Sequence, residues 1–287
     1  MNKNVSLLAI SYVFGFTAAT ITVFLSGIIG SQIASIKSLA TLPTALTVVG
    51  TAVFAALAAK IMSKIGRKLG FILASLVCSI TCLLAAYAIY DRNFILFCIA
   101  NLILGACMAF THQYRFAAAE SVEKDKAPKA ISIIMLSGIV AAFLGISSAN
   151  YTKDLFTDFQ YVGSYITLAI FMFMPTIFFL FYENKNTIGT EFSKNHTGRS
   201  YFEIISQPRF LQAVIAAAFA YAIMSFLMTA TPMSMHLMEK MSLEKTGLVL
   251  QIHVAAMFLP SLITGHLIKK FGHSNIIYIG VFFLVVT

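Results

Sequence analysis

Nine apolar runs dominate the sequence, and none of them contains an aspartate, glutamate, lysine or arginine. A run of about 20 apolar residues is long enough to cross the hydrocarbon core of a bilayer. A charged side chain at the centre of such a run is costly, so the absence of charges fits helices embedded in lipid. The runs comprise residues 5–30, 39–59, 69–90, 93–114, 130–150, 161–182, 210–233, 246–268 and 276–287.

The composition indicates a membrane location for the whole chain. The sequence is 59% hydrophobic and 11% charged, with a mean hydropathy of +0.86, whereas soluble domains are about one quarter charged. A cleaved leader would give one apolar segment near the start, so the first run is predicted to be a span. Strands of a membrane barrel would be about ten residues long and alternating, which these runs are not. The sequence therefore predicts an all-α, polytopic membrane helix bundle.

The basic residues predict the orientation of this bundle. The net charge is +9, but a nucleic-acid-binding protein gathers its lysines and arginines on one solvated face, and here they lie in short loops. Of the 20 lysines and arginines, fifteen fall on the side of the amino terminus and five on the other side. Basic residues concentrate in cytoplasmic loops. This pattern predicts a multi-pass protein of the inner membrane with a cytoplasmic amino terminus and no nucleic-acid partner.

A long polar interval divides the chain into two parts. We predict a six-helix transmembrane half over residues 1–182, a cytoplasmic loop over 183–208, and an incomplete second half of three helices over 209–287. The ninth run is too short to cross a bilayer and no charged residue follows it. The expectation is therefore that the last helix is cut and that the chain is a truncated product or a fragment.

The loops after the second and eighth runs carry the same pattern. When they are aligned on Gly66 and Gly272, each has a small residue seven places earlier, an apolar residue five places earlier and a lysine two places earlier. The small residues are Ala59 and Gly265. Glycine permits a sharp reversal of the chain, so the same turn is predicted in both halves.

These loops resemble the G-x-L-x-D-R-x-G-R-K signature of the major facilitator superfamily, which joins the second and third helices and recurs between the eighth and ninth. Residues 120–130 resemble the family's acidic, proline-containing and basic loop between the fourth and fifth helices. Ser63 and Lys269 stand where the signature has an acid that helps to lock the cytoplasmic side. The lock of this chain is therefore expected to be weaker or differently built. The resemblance implies a gating loop formed by Gly66, Arg67, Lys68, Gly265 and Gly272.

A second interpretation of the same basic residues stays open. Arg67 and Lys68 could bind lipid phosphates and fix the topology of the chain without any part in gating. The repetition of the turn favours the gating interpretation for Gly66 and Gly272.

The resemblance also implies an activity and its partners. It implies a secondary active transporter that moves a small organic solute by alternating access, with protons as a candidate coupling ion, and further helices or another chain needed for activity. The alternative is a truncated, transport-inactive remnant or a membrane interaction scaffold. An enzyme is disfavoured, because the sequence has no phosphate-binding glycine loop, zinc motif or acidic pair within a run. No cofactor or metal is expected.

Polar residues inside the runs are the candidates for the substrate and proton pathway. Transporters of this kind bind their substrate near the bilayer midplane with a few buried polar groups. His253 could titrate near neutral pH and relay a proton, whereas Gln251 or Asn101 could instead join helices through hydrogen bonds. Arg115 could extend from the end of its run into the headgroups. The candidates are Gln251, His253, Asn101, His112, Gln113, Arg115 and Tyr221.

Overall fold

A computed structural model describes residues 2–184 and 201–286, and within these ranges the chain is helical and has no strand. In these described ranges, eight helices, some containing a short break, are long and apolar enough to cross a membrane, and a shorter apolar helix segment follows at Ser274–Phe283. These helices confirm the all-α, polytopic architecture. The α-helices are α1 Lys3–Ile33, α2 Leu42–Ile65, α3 Arg67–Tyr90, α4 Phe94–Thr111, α5 Tyr114–Glu120, α6 Ala127–Thr152, α7 Val162–Leu180, α8 Tyr201–Ile205, α9 Pro208–Met233, α10 Leu243–Phe258, α11 Ser261–Phe271 and α12 His273–Val286.

The eighth apolar run is not one continuous helix, although the sequence pattern predicts an unbroken span over 246–268. Helix α10 ends at Phe258 and α11 begins at Ser261. Pro260 lies between them, and proline has no backbone N–H to donate to the preceding turn. The ring of the proline also clashes with that turn, so the helix breaks there.

The first compact unit comprises residues 2–184 together with Thr229–Leu259. Within it α2 packs on α4, α3 on α7, α1 on α6, and α10 on α6. The contact between α2 and α4 is very close at two glycines. A Cβ on Gly50 would meet the backbone oxygen of Leu102, and a Cβ on Gly105 would meet the backbone oxygen of Thr47. Small residues of this kind let membrane helices approach each other.

An aromatic cluster fills one end of the first unit. Phe71 lies at its centre, with its ring centroid 4.7 Å from that of Tyr114 and 4.9 Å from that of Phe179. Tyr182 packs against both phenylalanines. Edge-to-face and tilted ring pairs of this kind are favourable beyond the apolar area that they bury, so they hold α3, α5 and α7 together at this end.

The second compact unit comprises the described residues 201–228 and 260–286. It contains α8, most of α9, α11 and α12, and many of its large apolar side chains are exposed, such as Phe219 and Phe226. Gln212 of α9 donates a hydrogen bond to the hydroxyl of Tyr278 in α12, at 3.4 Å. Of the predicted loop over 183–208, residues 185–200 lie outside the described residues.

Candidate functional site

The repeated glycine turn is present twice with the same backbone conformation. Gly66 links α2 to α3 with φ 83° and ψ 156°, and Gly272 links α11 to α12 with φ 80° and ψ 161°. In each case the glycine N–H closes the last turn of the helix before it. Residues other than glycine rarely adopt this positive φ. Gly265, at the start of the second loop, is exposed, and a Cβ added there would meet no atom within 4 Å.

An ion pair joins the first turn to the loop between the fourth and fifth spans. The Nε and Nη2 atoms of Arg67 each donate to one carboxylate oxygen of Glu120, both at 2.6 Å. Two parallel bonds of this kind give a guanidinium–carboxylate pair directional strength. The two stretches whose patterns carry the family resemblance are thus in direct contact.

Lys68 ties the same turn to the end of α7. Its Nζ donates to the backbone oxygen of Leu180 at 2.6 Å, and its backbone N–H donates to the side-chain oxygen of Asn184 at 3.0 Å. A Cβ on Gly66 would lie 3.0 Å from the amide nitrogen of that asparagine. The turn therefore contacts the ends of both α5 and α7.

The amino terminus closes the same end of the first unit. Asn2 donates to the backbone oxygen of Ser121 at 2.6 Å, and Asn4 donates to that of Glu183 at 2.8 Å. Lys3 forms an exposed ion pair with the Glu183 carboxylate at 2.7 Å, and this hydrogen-bonded contact lowers the pKa of that carboxyl. We call this end, with its contacts around Arg67, Lys68 and Glu183, the amino-terminal face.

Sequence reasoning did not identify most partners on the amino-terminal face. Asn4 and Asn184 are polar residues at the ends of apolar runs, which gives no signal that they meet. The acid of the family signature is replaced by Ser63, whose hydroxyl donates to the backbone oxygen of Lys60 in its own helix at 2.8 Å. Ser63 therefore makes a local bond within α2, and the glutamate that pairs with Arg67 comes from α5.

Asn101 lies at the centre of a buried hydrogen-bond network. Its side-chain oxygen accepts from the hydroxyls of Ser26, at 3.1 Å, and Thr47, at 3.3 Å. Its amide donates to the backbone oxygen of Phe97 at 2.8 Å. Ser26 also lies 3.0 Å from the hydroxyl of Tyr165. Four helices, α1, α2, α4 and α7, meet in this network, which supports the helix-packing interpretation of Asn101.

Gln251 and His253 occupy different sides of α10. Gln251 is buried and donates to the hydroxyl of Ser147 in α6 at 3.0 Å. His253 is exposed. Tyr221, the remaining candidate on a carboxy-terminal helix, is exposed on α9 within the second unit. Gln251 is thus built into the contact between α6 and α10.

The break between α4 and α5 contains the other candidates. His112 and Gln113 form the link, and both are half-buried. Arg115 follows in α5, with its guanidinium carbon 4.9 Å from the centroid of the Phe116 ring. The Nε atom of Arg115 is buried and has no hydrogen-bond partner among the described residues. A half-buried cation of this kind can bind a polar group of a solute or of a lipid.

Among the described residues of the first unit, the predicted site residues lie in separate locations and are not gathered into one pocket. Gly66, Arg67 and Lys68 lie on the amino-terminal face, Asn101 lies in the buried network, and Gln251 lies in the contact between α6 and α10. Among the described residues, no group of three or more histidine, cysteine, aspartate or glutamate side chains is placed to hold a metal ion.

Comparison with known proteins decides the family. The profile described as the Major Facilitator Superfamily matches residues 6–287. The chain belongs to the Major Facilitator Superfamily. It is therefore a multi-pass membrane protein of a transporter family and not an enzyme, and the resemblance of its two glycine loops to the family signature is confirmed at the level of the family.

Three curated proteins illustrate its relatives within the superfamily. The riboflavin transporter RfnT of Brucella anthropi is 33% identical over 284 residues, which cover 97% of this chain and 70% of the relative. Two uncharacterised MFS-type transporters of Bacillus subtilis, YddS and YdeG, are 25% and 24% identical over 95% of this chain. The chain spans 65% and 66% of their lengths. No solved structure matches the chain significantly.

Proposed function

We propose that this superfamily member is a secondary active transporter of a small organic solute, and that riboflavin or a related fused-ring heteroaromatic compound is the solute class. The observation that carries the proposal is the 33% identity to a riboflavin transporter along 97% of the chain. The solute would be moved by alternating access, in which a site near the bilayer midplane opens to each side of the membrane in turn.

The first unit offers side chains that suit a flat aromatic solute. Binding sites for such compounds are mostly apolar, with a small number of polar groups that fix the orientation. Phe16 of α1 and Phe258 of α10 form an edge-to-face pair with ring centroids 5.6 Å apart. Phe14 lies two residues before Phe16 and contacts Phe171 of α7. The Phe16–Phe258 pair supports the proposal because it places stacking surfaces on two helices of one unit, whereas Phe14 faces another side of α1.

The proposal includes the orientation of the protein in the inner membrane. The amino-terminal face carries Arg67 and Lys68, and fifteen of the 20 lysines and arginines fall on that side of the sequence pattern. We assign this face to the cytoplasm, because cytoplasmic loops are enriched in basic residues. The Arg67–Glu120 pair and the contacts of Lys68 are then the cytoplasmic gating contacts of this half.

Growth of a riboflavin-auxotrophic bacterium that lacks its own uptake system tests the substrate. The chain is expressed with a fluorescent tag that reports folding in the membrane. We expect growth at a low riboflavin concentration that does not support the empty-vector strain. Folded protein in the membrane without growth or uptake would contradict the riboflavin assignment and favour the alternative of an inactive remnant or scaffold.

Proton coupling through His253 is a separate prediction. A histidine within a membrane span is a candidate for a proton pathway, and His253 is not covered by the other described helices. In proteoliposomes we expect His253→Gln to lose accumulation driven by a proton gradient while exchange of internal for external riboflavin persists. Val249→Ala, an exposed substitution one turn away on α10, is the control. Accumulation that still follows the proton gradient in His253→Gln would remove this residue from the coupling mechanism.

A further inference from the structure

A methionine-rich turn joins α9 to α10. Six of the 13 methionines of the chain lie between residues 224 and 241. We call residues 234–241 the methionine turn. Its thioether and imidazole side chains, which the proposed transport of an organic solute does not use, are those of Met235, His236, Met238 and Met241.

The backbone of the methionine turn brings Met235 and Met241 next to each other. A π-helical segment over Ser234–Met238 is followed by Lys240 in the left-handed conformation, with φ 52°. The chain reverses there, so the Met241 N–H donates to the backbone oxygen of Met235 at 2.8 Å. A positive φ at a residue other than glycine is strained, and such strain concentrates at functional sites. π-Helical segments are also frequent at functional sites.

His236 has the arrangement of a metal-binding histidine. Its Nδ1 atom lies 2.8 Å from the backbone oxygen of Met241. A carbonyl oxygen can only accept, so Nδ1 carries the proton and the lone pair is on Nε2. Histidines that bind metals usually donate their other ring N–H to a carbonyl or carboxylate, which fixes the ring. His236 is therefore oriented with Nε2 available as a ligand.

Two thioethers of the turn are left uncovered by the described residues of the protein. Met238 is 77% exposed and Met241 is 42% exposed, while Met235 and His236 are half-buried. Met233, by contrast, packs on Gly27 of α1 and belongs to the helix contact. The packing of α9 on α1 therefore does not use the exposed methionines of the turn.

We propose that the methionine turn binds a soft monovalent cation, Cu⁺ or its redox-inert analogue Ag⁺, through the sulfur atoms of its three methionines and Nε2 of His236. Thioethers select Cu⁺ over harder divalent ions. Zinc sites are built from cysteine, histidine and carboxylate ligands instead. The charges of Glu239 and Lys240 within the turn cancel, so the turn offers no net negative charge to a divalent ion. This site does not depend on the identity of the transported solute.

Titration of the purified full chain in detergent with Ag⁺, in a chloride-free buffer, tests the site. The four free cysteines bind Ag⁺ in every variant, so we expect the parent to bind one Ag⁺ more per chain than Met235→Leu/Met238→Leu/Met241→Leu, or to bind it about tenfold or more tightly. Leucine keeps the volume and apolar character of methionine, so the fold should persist. The matched control is the triple Met135→Leu/Met172→Leu/Met174→Leu, with methionines outside the turn, and it should bind Ag⁺ as the parent does.

Three further measurements make the outcome decisive. Cu⁺ kept reduced with ascorbate should compete with Ag⁺ for the site, whereas Zn²⁺ should not compete. The methyl NMR signals of the turn methionines should shift when Ag⁺ is added. Equal Ag⁺ affinity in the turn triple, or tighter binding of Zn²⁺, would overturn the proposal. Riboflavin uptake should be unchanged in the turn triple, so a failure of the riboflavin assignment is distinguishable from a failure of the metal site.

Discussion

Replacing Gly105 with valine is expected to abolish accumulation of folded protein. A Cβ at this position falls on the backbone oxygen of Thr47, and a backbone atom cannot move aside as a side chain can. Ordinary overpacking in a core costs about 1–3 kcal/mol, and separation of α2 from α4 adds the loss of the hydrogen bond from Thr51 to the backbone oxygen of Gly105, at 3.0 Å. Fluorescence-detected size-exclusion chromatography of the tagged variant measures the effect.

Gly280→Val is the matched control for this experiment. A Cβ on Gly280 would meet no atom within 4 Å, so the same substitution there should leave the elution profile unchanged. A monodisperse Gly105→Val variant with the thermal stability of the parent would show that α2 and α4 are not packed as closely as the structure has them.

Reversing the charge of Arg67 is expected to reduce transport by about tenfold or more. Exchanging the two charged residues, in Arg67→Glu/Glu120→Arg, should restore part of the lost transport. Hydrogen bonds to charged groups contribute about 1.5–3 kcal/mol of stability. Because the Arg67–Glu120 pair is partly exposed, its contribution lies near the lower end of that range. Arg67→Glu replaces the attraction with repulsion from Glu120. In Arg67→Glu/Glu120→Arg the two parallel bonds can form again with the donor on α5. The measurement is the initial rate of uptake at equal amounts of folded protein.

Lys64→Glu controls for the change in net charge of the loop. Lys64 is exposed in the turn before Gly66, so its reversal alters the basic character of the loop but not the ion pair. If Lys64→Glu lowers uptake as much as Arg67→Glu does, and the reciprocal exchange restores nothing, the basic residues act as topology anchors and the gating interpretation is wrong.

The membrane helices and the repeated turn could be predicted from the sequence because both depend on local patterns. Uninterrupted apolar runs define spans by length alone, and Gly66 and Gly272 lie in loops whose small, apolar and basic positions match. The structure confirms the same positive φ at both glycines. Pro260 is itself a local signal for a break, because proline rarely continues a helix. The apolar residues on both sides of it nevertheless gave the prediction of one continuous span.

The contacts between helices could not be predicted, because they join residues far apart in the chain. Arg67 and Glu120 both lie within motifs, but a single sequence does not show that two residues 53 positions apart are in contact. The same holds for the bonds that Asn101 accepts from Ser26 and Thr47. Polarity within an apolar run identified Asn101 as unusual, but only the helix packing shows that its oxygen is already occupied.

The most direct test of the proposed function is uptake of radiolabelled riboflavin into proteoliposomes that contain the purified protein and are preloaded with unlabelled riboflavin. We expect transient accumulation of label above equilibrium, inhibited by other flavins and absent from liposomes that contain no protein. Folded protein that gives no such accumulation, with riboflavin or with related heteroaromatic solutes, would contradict the assignment.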